Sequence, residues 1–177
     1  MQDNNNNTPA FDLAAPAIYV ADLAEYNNGR LVGKWIAIAG HTAATLLEEM
    51  TAFVSARGHE EWAIHDYNNL PLCSEWPDLE IVIETAQLVT SYDFETVSGY
   101  IDYFGTEQLS EFEEKYQGAF ATEEIFAHEL VDDCYDLEKC MGSLSNYFDY
   151  GAFARDLFMG DYVSVRVPEG VAVFRND

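Results

Sequence analysis

Apolar residues in the N-terminal third of the chain follow a strand-like period. Near-alternation predicts strands over residues 17–23, 30–39 and 61–67. The first two strands are separated by Asn28-Gly29, the strongest short signal for a β-hairpin. We therefore expect a small antiparallel sheet at the start of the fold.

A helical period stands between the second and third of these strands. It is carried by Leu46, Leu47, Met50, Phe53 and Val54. Thr42 precedes it as a candidate N-cap, and Gly58 follows it as a stop signal. These elements together predict a β-β-α-β module over residues 17–69.

The apolar period becomes helical beyond residue 69. The spacing predicts four helices, at residues 78–92, 94–104, 107–117 and 123–139. Thr106 and Thr122 are candidate N-caps for the last two, which Gly118 and Gly142 close. Because a proline-containing stretch precedes the first helix, we place a helical module at residues 70–118.

The C-terminal part of the chain combines a helix with a hairpin. The pattern predicts a helix over residues 149–159 and strands over 162–167 and 171–175, joined by a Pro-Glu-Gly turn. Residues 119–177 therefore form a third predicted module. The expected fold class is α+β, in an elongated chain of three small modules.

Composition sets limits on the functional class. The chain has 177 residues, and a hydrophobic fraction of 49% with 14% aromatic residues excludes an intrinsically disordered acidic tail. The net charge of −24 opposes direct binding to nucleic acid, because phosphate contacts require Lys and Arg. A basic protein, or the DNA-binding groove of an enzyme, is the expected partner.

The cysteines and the N-terminus indicate the compartment. Three cysteines without paired spacing do not predict a disulfide framework, so they are expected to fill core positions in a reducing cytoplasm. Residues 1–16 contain an Asn run and two prolines but no basic stretch, which predicts a flexible leader rather than a secretory signal. No apolar run approaches the roughly 18 residues that span a bilayer, and no membrane partner is expected.

Negative charge is concentrated between Glu75 and Asp136, a stretch that we call the acidic segment. It holds seventeen carboxylates and a single base, Lys115, which leave a formal charge of −16. An ordinary solvated surface mixes both signs, because interspersed bases relieve self-repulsion. We predict that these carboxylates imitate phosphates: Glu75, Asp78, Glu80, Glu84, Asp93, Glu95, Asp102, Glu107, Glu111, Glu113, Glu114, Glu123, Glu124, Glu129, Asp132, Asp133 and Asp136.

The density of charge fits this hypothesis. At a rise of 1.5 Å per residue, helices of this total length would carry one carboxylate per ~5.5 Å. If the helices double back in pairs, the spacing approaches ~3 Å, whereas one DNA strand presents a phosphate about every 3.4 Å.

Four other interpretations stay open. The segment could be a solvated face or a halophilic adaptation, although a halophile would spread its acids evenly. It could also belong to a generic acidic module or chaperone for basic proteins. A metal-dependent enzyme is disfavoured, because residues 132–136 lack the order of a calcium loop and His128, Cys134 and Cys140 lack zinc spacing. Catalytic fingerprints are also absent from the sequence, so we expect no catalytic residue, metal or cofactor.

The chain as a whole resembles the ArdA family of antirestriction proteins. The similarity covers roughly residues 17–175 and lies in IYVADLAEYNNGRLVGKW, EEWAIHDYNNLP, LSNYFDYGAFARDLFMGDY and the final VFR. The resemblance implies an elongated homodimer whose carboxylates mimic the phosphates of bent B-form DNA. It further implies occupation of the DNA-binding groove of type I restriction-modification enzymes, which protects incoming mobile DNA such as plasmids.

The tract from Leu144 to Leu157 resembles the antirestriction motif of that family. The resemblance implies a role in the dimer interface, or in the target contact, for Tyr147, Phe148, Asp149, Tyr150, Phe153, Arg155 and Asp156. Aromatic residues are enriched at such interfaces, although each is also a candidate core residue.

Overall fold

The computed structural model of the protein describes residues 14–177. The chain divides into two compact units between Val97 and Ser98. The described residues form eight α-helices and two three-stranded antiparallel sheets, which confirms the predicted α+β class. The elongated arrangement of three modules stays a prediction.

The first unit contains one sheet and the helices that accompany it. In chain order its elements are β1 (Ala17–Asp22), α1 (Leu23–Asn27), β2 (Gly33–Ala37), α2 (Ala43–Ser55), β3 (Trp62–Asn68) and α3 (Leu79–Ser91). Helix α4 (Phe94–Phe104) spans the division between the units. The three predicted strands and the predicted helices at 78–92 and 94–104 are confirmed to within a few residues.

Strand β1 is the centre of this sheet, with β2 and β3 antiparallel on either side. Its buried residues Ile18 and Val20 lie opposite Ile36 and Ile64. Helix α2 contacts β3 and α3 and buries Leu46, Met50 and Val54. The helical period in the sequence therefore marks the face that forms the core.

The ends of two helices show how the sequence directs the chain. Thr42 caps α2 in a reciprocal capping box with Thr45, as predicted for an N-cap residue. The connection between β1 and β2 is longer than the predicted two-residue hairpin turn, because Asp22 caps α1 between the two strands. Gly29 still provides the left-handed conformation that this connection needs, with φ of 77°.

The residues just before β1 are tied to the sheet. The carbonyls of Ala15 and Pro16 accept hydrogen bonds from Asn68 Nδ2 and from the backbone N–H of Ile38, at 2.8 and 3.0 Å. Residues 14–16, which the sequence assigned to a leader, thus belong to the ordered fold. The rest of the predicted leader lies outside the described residues.

The second unit contains the other sheet. Its elements in chain order are a 3₁₀ helix (Thr106–Glu111), α5 (Phe112–Lys115), β4 (Tyr116–Phe120), α6 (Glu123–Cys134), α7 (Leu137–Met141), a 3₁₀ helix (Gly142–Tyr147), α8 (Tyr150–Leu157), β5 (Tyr162–Val167) and β6 (Gly170–Arg175). The predicted C-terminal hairpin is confirmed. Strand β6 is central, and β4 completes the sheet on its other side.

Two helix predictions in this unit are wrong. The helix predicted over residues 107–117 ends at Lys115, because the following residues form β4 and pair with β6. The helix predicted over residues 123–139 is interrupted at Tyr135, and Asp136 begins α7 as a new N-cap. The first error arises from pairing between distant segments, which a local apolar period does not reveal.

Aromatic side chains fill the core of the second unit. The ring of Phe174 on β6 lies 5.0 Å from that of Tyr100 and 5.3 Å from that of Phe112. Phe126 on α6 packs in the same way against Phe120 and Tyr162. These contacts hold the helices against the sheet.

The expectation that the cysteines fill the core is wrong. All three are free thiols on the surface. Cys73 lies in the loop before α3, and Cys134 is the last residue of α6. Cys140 belongs to α7, a helix of five residues that buries none of them. In each case the local structure turns a small apolar residue towards solvent.

Candidate functional site

The carboxylates of the acidic segment lie at the surface of the protein. Fifteen of the seventeen residues are exposed. The other two, Glu84 and Glu123, are half-buried. This placement is consistent with acids carried on the surface of a folded protein rather than in a disordered tail.

Lys115, the only base of the segment, does not reach this surface. It is 5% exposed, and its ammonium lies 3.4 Å from Glu111 Oε2 and 5.1 Å from the centre of the Phe104 ring. It also donates a hydrogen bond to the backbone carbonyl of Asp177. The surface of the segment is therefore more one-sided in charge than the sequence alone indicates.

In the first unit, α3 places its acids opposite its buried face. The face that packs inward contains Val82, Ile83, Ala86 and Val89. Glu80 and Glu84 stand one turn apart on the other side, where neighbouring carboxylates repel each other. Glu75 precedes this helix, and its backbone carbonyl accepts a hydrogen bond from the N–H of Ile64 on β3.

Two aspartates of this unit also serve as helix caps. Asp78 Oδ1 accepts a hydrogen bond from the N–H of Glu80 at 2.9 Å. Asp93 accepts hydrogen bonds from the N–H and the hydroxyl of Thr96, both at 2.8 Å. A negative charge at a helix N-terminus is favourable, so part of the acidity has a structural cause.

In the second unit, the acids gather on the helices before and after β4. The exposed members are Asp102, Glu107, Glu111, Glu113, Glu114, Glu124, Glu129, Asp132, Asp133 and Asp136. Helix α6 buries Phe126, Ala127 and Val131 and turns its acids outward. This unit therefore presents a dense anionic surface of its own.

Besides Glu111, three further carboxylates of this unit have structural partners. Glu123 Oε1 accepts a hydrogen bond from the Ser164 hydroxyl at 2.6 Å, which ties α6 to β5. Asp136 caps α7. Asp132 Oδ2 lies 3.1 Å from His128 Nδ1, and both side chains are half-exposed or more. Glu123 is consequently the least available of the predicted phosphate mimics in this unit.

The tract predicted as the antirestriction motif is only partly buried. Tyr147 is 83% exposed, whereas Phe153 packs against the core of α6 and α8. Phe148 lies between Tyr150 and Phe153, with ring centres 4.9 and 5.6 Å away. Asp149 caps α8 by accepting a hydrogen bond from Ala152 N–H at 2.9 Å. Arg155 and Asp156 are exposed on that helix.

Sequence reasoning missed two features near this tract. The first is the stacking of His128 on Tyr150, with ring centres 4.3 Å apart. The second is a set of exposed apolar side chains close by in the sequence: Tyr135, Met141, Leu144 and Met159. A sequence signal for this exposure exists: several of these residues lie in or next to helices of only five or six residues, which are too short to form a complete buried face.

Two searches of residues 14–177 bear on other kinds of site. Within that range, no group of three or more His, Cys, Asp or Glu side chains is arranged to hold a metal ion. None of the described helices has both the length and the apolar character needed to cross a bilayer.

The two-sheet fold and the outward carboxylates define a strongly acidic α+β protein with an anionic surface on each unit. A family model described as antirestriction protein (ArdA) matches residues 18–172. The chain therefore belongs to the ArdA antirestriction family, whose members inhibit restriction-modification enzymes. A search of curated proteins found no match.

Proposed function

We propose that this protein inhibits type I restriction-modification enzymes by occupying their DNA-binding groove as a mimic of DNA. The observation that carries the proposal is that the acidic segment exposes its negative side chains and buries its positive one. Fifteen of its seventeen carboxylates are exposed, while its only base is buried. The protein acts without catalysis, as a competitor for a basic surface.

The electrostatics of DNA binding supply the mechanism. A DNA-binding groove presents Lys and Arg to phosphates, and its affinity for DNA falls steeply with salt. A folded polyanion meets the same bases with carboxylates that are already in place. Bending a DNA site costs several kcal/mol, a cost that a protein with fixed charges avoids. Affinity above that of DNA is therefore physically reasonable.

The predicted mimics differ in how freely they can meet a target. The side chains of Asp78, Asp93 and Asp136 accept hydrogen bonds from backbone N–H groups at helix N-termini, so they are less free to move towards a target. Residues such as Glu80, Glu95 and Asp102 are exposed on α3 and α4 and are the better candidates for direct contact.

We further propose that the active form is a cytoplasmic homodimer that contacts no nucleic acid or membrane itself. The exposed Tyr147, and the exposed Leu144 three residues earlier, support a subunit interface, since both would otherwise leave large apolar surfaces in water. A dimer doubles the anionic surface that one target enzyme meets.

A competition assay tests the proposal. A type I enzyme is mixed with fluorescent duplex DNA, and the protein is titrated in at several salt concentrations. The expected result is displacement of DNA at a fixed stoichiometry, with an IC50 that rises as salt increases. Inhibition that leaves the DNA bound would overturn the mimic.

A matched control separates a mimic from a generic acidic binder. The same titration is run on a basic DNA-binding protein of the histone-like type. A DNA mimic of the restriction groove is expected to displace DNA from the restriction enzyme at much lower concentration. Equal potency against both targets would favour the generic acidic module.

A further inference from the structure

Lys115 is the one base of the acidic segment, and it is buried although its side chain is charged. If net negative charge were all that mattered, a neutral residue in place of Lys115 would make the segment more negative. The ammonium is instead almost fully buried, which is costly unless the charge is paired. The side chain therefore has a role that outweighs the charge it removes.

The partners of the ammonium come from three parts of the second unit. Glu111 belongs to the 3₁₀ helix before α5, Phe104 ends α4, and Asp177 follows β6. The buried ammonium of Lys115 thus links the 3₁₀ helix and α4 to the residue Asp177, which follows the central strand β6.

Glu111 and Glu114 line a recess together with Lys115. The recess has a volume of about 300 Å³ and is lined by Glu111, Glu114, Lys115, Arg175 and Asp177. The hydrogen bond to Asp177 raises the pKa of Arg175, and the charge of Glu114 raises it further. The recess therefore holds two bases, the buried Lys115 and Arg175, whose side chain is 43% exposed.

We infer that Lys115 is a positioning residue for inhibition: it holds Glu111 at a fixed place on the anionic surface. This inference rests on the proposed DNA mimicry. A fixed carboxylate meets a basic groove without the loss of side-chain freedom that a mobile one suffers on binding. The net effect of the positive charge is then to strengthen inhibition.

The inference and a simple count of charge predict opposite results for Lys115→Met. The substitution makes the protein more negative by one charge and keeps a side chain of similar length. Positioning predicts an IC50 in the DNA competition assay at least twofold higher than wild type. Charge count predicts an unchanged or lower IC50. The matched control is Lys139→Met, which changes charge equally at an exposed position on α7 and is expected to stay within twofold of wild type.

A double-mutant cycle separates positioning from general stabilisation. If Lys115 acts through Glu111, then Glu111→Gln raises the IC50 of wild type but has a smaller effect in the Lys115→Met background. The salt dependence of the IC50 is also expected to become shallower in Lys115→Met and to stay unchanged in Lys139→Met. Equal effects of Glu111→Gln in both backgrounds would overturn the inference.

A second pair of variants covers the case in which Lys115→Met does not fold, as judged by circular dichroism. Glu111→Gln and Glu107→Gln both neutralise exposed acids of one 3₁₀ helix, but only Glu111 contacts Lys115. We expect at least a threefold rise in IC50 for Glu111→Gln and less than twofold for Glu107→Gln. Equal effects would refute the positioning role, whereas a wild-type protein that fails to displace DNA would refute the proposed function instead.

Discussion

The Nδ1 atom of His59 lies 2.6 Å from Oδ2 of Asp22, a carboxylate that is fully buried at the start of α1. Burial alone would raise the pKa of Asp22. The hydrogen bond with His59, backbone N–H donors and the charge of His59 together lower that pKa below its ordinary value of 3.8. The pair joins β1 to the segment between α2 and β3.

Removing the Asp22 charge is expected to lower stability in a pH-dependent way. Because its pKa is depressed in the folded state, the carboxylate stabilises the fold above pH 3.8, and this contribution is lost as pH falls through the folded pKa. Asp22→Asn should cost about 2 kcal/mol at neutral pH and less in acid. Urea unfolding of both proteins from pH 7 to pH 3 measures the difference. The exposed Asp66→Asn is the control, and an equal loss from it would contradict the prediction.

Two buried threonines of the first unit are expected to respond oppositely to the same substitution. Thr85 is fully buried, and its hydroxyl has no hydrogen-bond partner within the part of the chain that the structure describes. Thr96 is equally buried, but its hydroxyl donates to Asp93 at 2.8 Å. Thr85→Val should raise the free energy of unfolding by about 1 kcal/mol, and Thr96→Val should lower it by about 2 kcal/mol. Thermal unfolding compares them directly, and shifts of the same sign would contradict the expectation.

The close approach of α4 to β5 predicts that Gly99 tolerates no side chain. A Cβ at this position would lie 2.0 Å from Cγ1 of Val165. Gly99→Ala should therefore destabilise the protein by about 1–3 kcal/mol through overpacking. Denaturant titration measures the loss, with Gly160→Ala as the control because nothing lies within 4 Å of that site. Restored stability in the Gly99→Ala/Val165→Ala double variant would identify the clash as the cause.

Neutralising the mimics is expected to act cumulatively, because a spread electrostatic surface has no single dominant contact. A single Glu→Gln change at Glu80, Glu95 or Glu124 should shift the IC50 of inhibition less than twofold. The multiple variant should raise it at least a hundredfold; it carries Glu80→Gln, Glu95→Gln, Asp102→Asn, Glu107→Gln, Glu124→Gln and Glu129→Gln.

The control for the multiple variant removes the same charge from exposed acids outside the acidic segment. These are Glu48, Glu60, Glu61, Asp66, Asp161 and Glu169. Their neutralisation should change the IC50 far less. Complete loss of inhibition from one substitution in the segment would point to a discrete site rather than a mimic.

The proposed dimer predicts that Tyr147 contributes to association. Its ring is 83% exposed, so truncation removes little from the fold of one chain but a large apolar contact from an interface. Tyr147→Ala should weaken the dimer at least tenfold without changing the unfolding midpoint of the monomer. Sedimentation equilibrium measures the dissociation constant, and Tyr26→Ala, at a 53% exposed tyrosine of the first unit, serves as the control. An unchanged constant would place the interface elsewhere.

The sequence predicted the elements whose signals are local. Thr42 and Thr122 cap helices as expected, and Gly58 follows the end of α2 in a left-handed conformation. The exposure of the acids was also predictable, because unpaired charges are rarely buried.

The sequence failed where distant residues decide the outcome. Strand β4 exists because Gly118 and its neighbours pair with residues 171–174, more than fifty positions away. The burial of Lys115 is equally non-local, since its partners include Phe104 and Asp177. The spacing of apolar residues around Gly118 and Lys115 therefore predicts neither the strand nor the burial.

The central strand of the second sheet, β6, follows both of its neighbours, β4 and β5, in the sequence. During synthesis on the ribosome, β4 and β5 emerge first and have no shared neighbour with which to pair. The acidic helices of this unit are therefore made well before the sheet that supports them can close. A nascent chain in that state would expose Phe120 and Tyr162 to solvent, and its need for a chaperone would depend on how soon β6 follows β5 out of the exit tunnel.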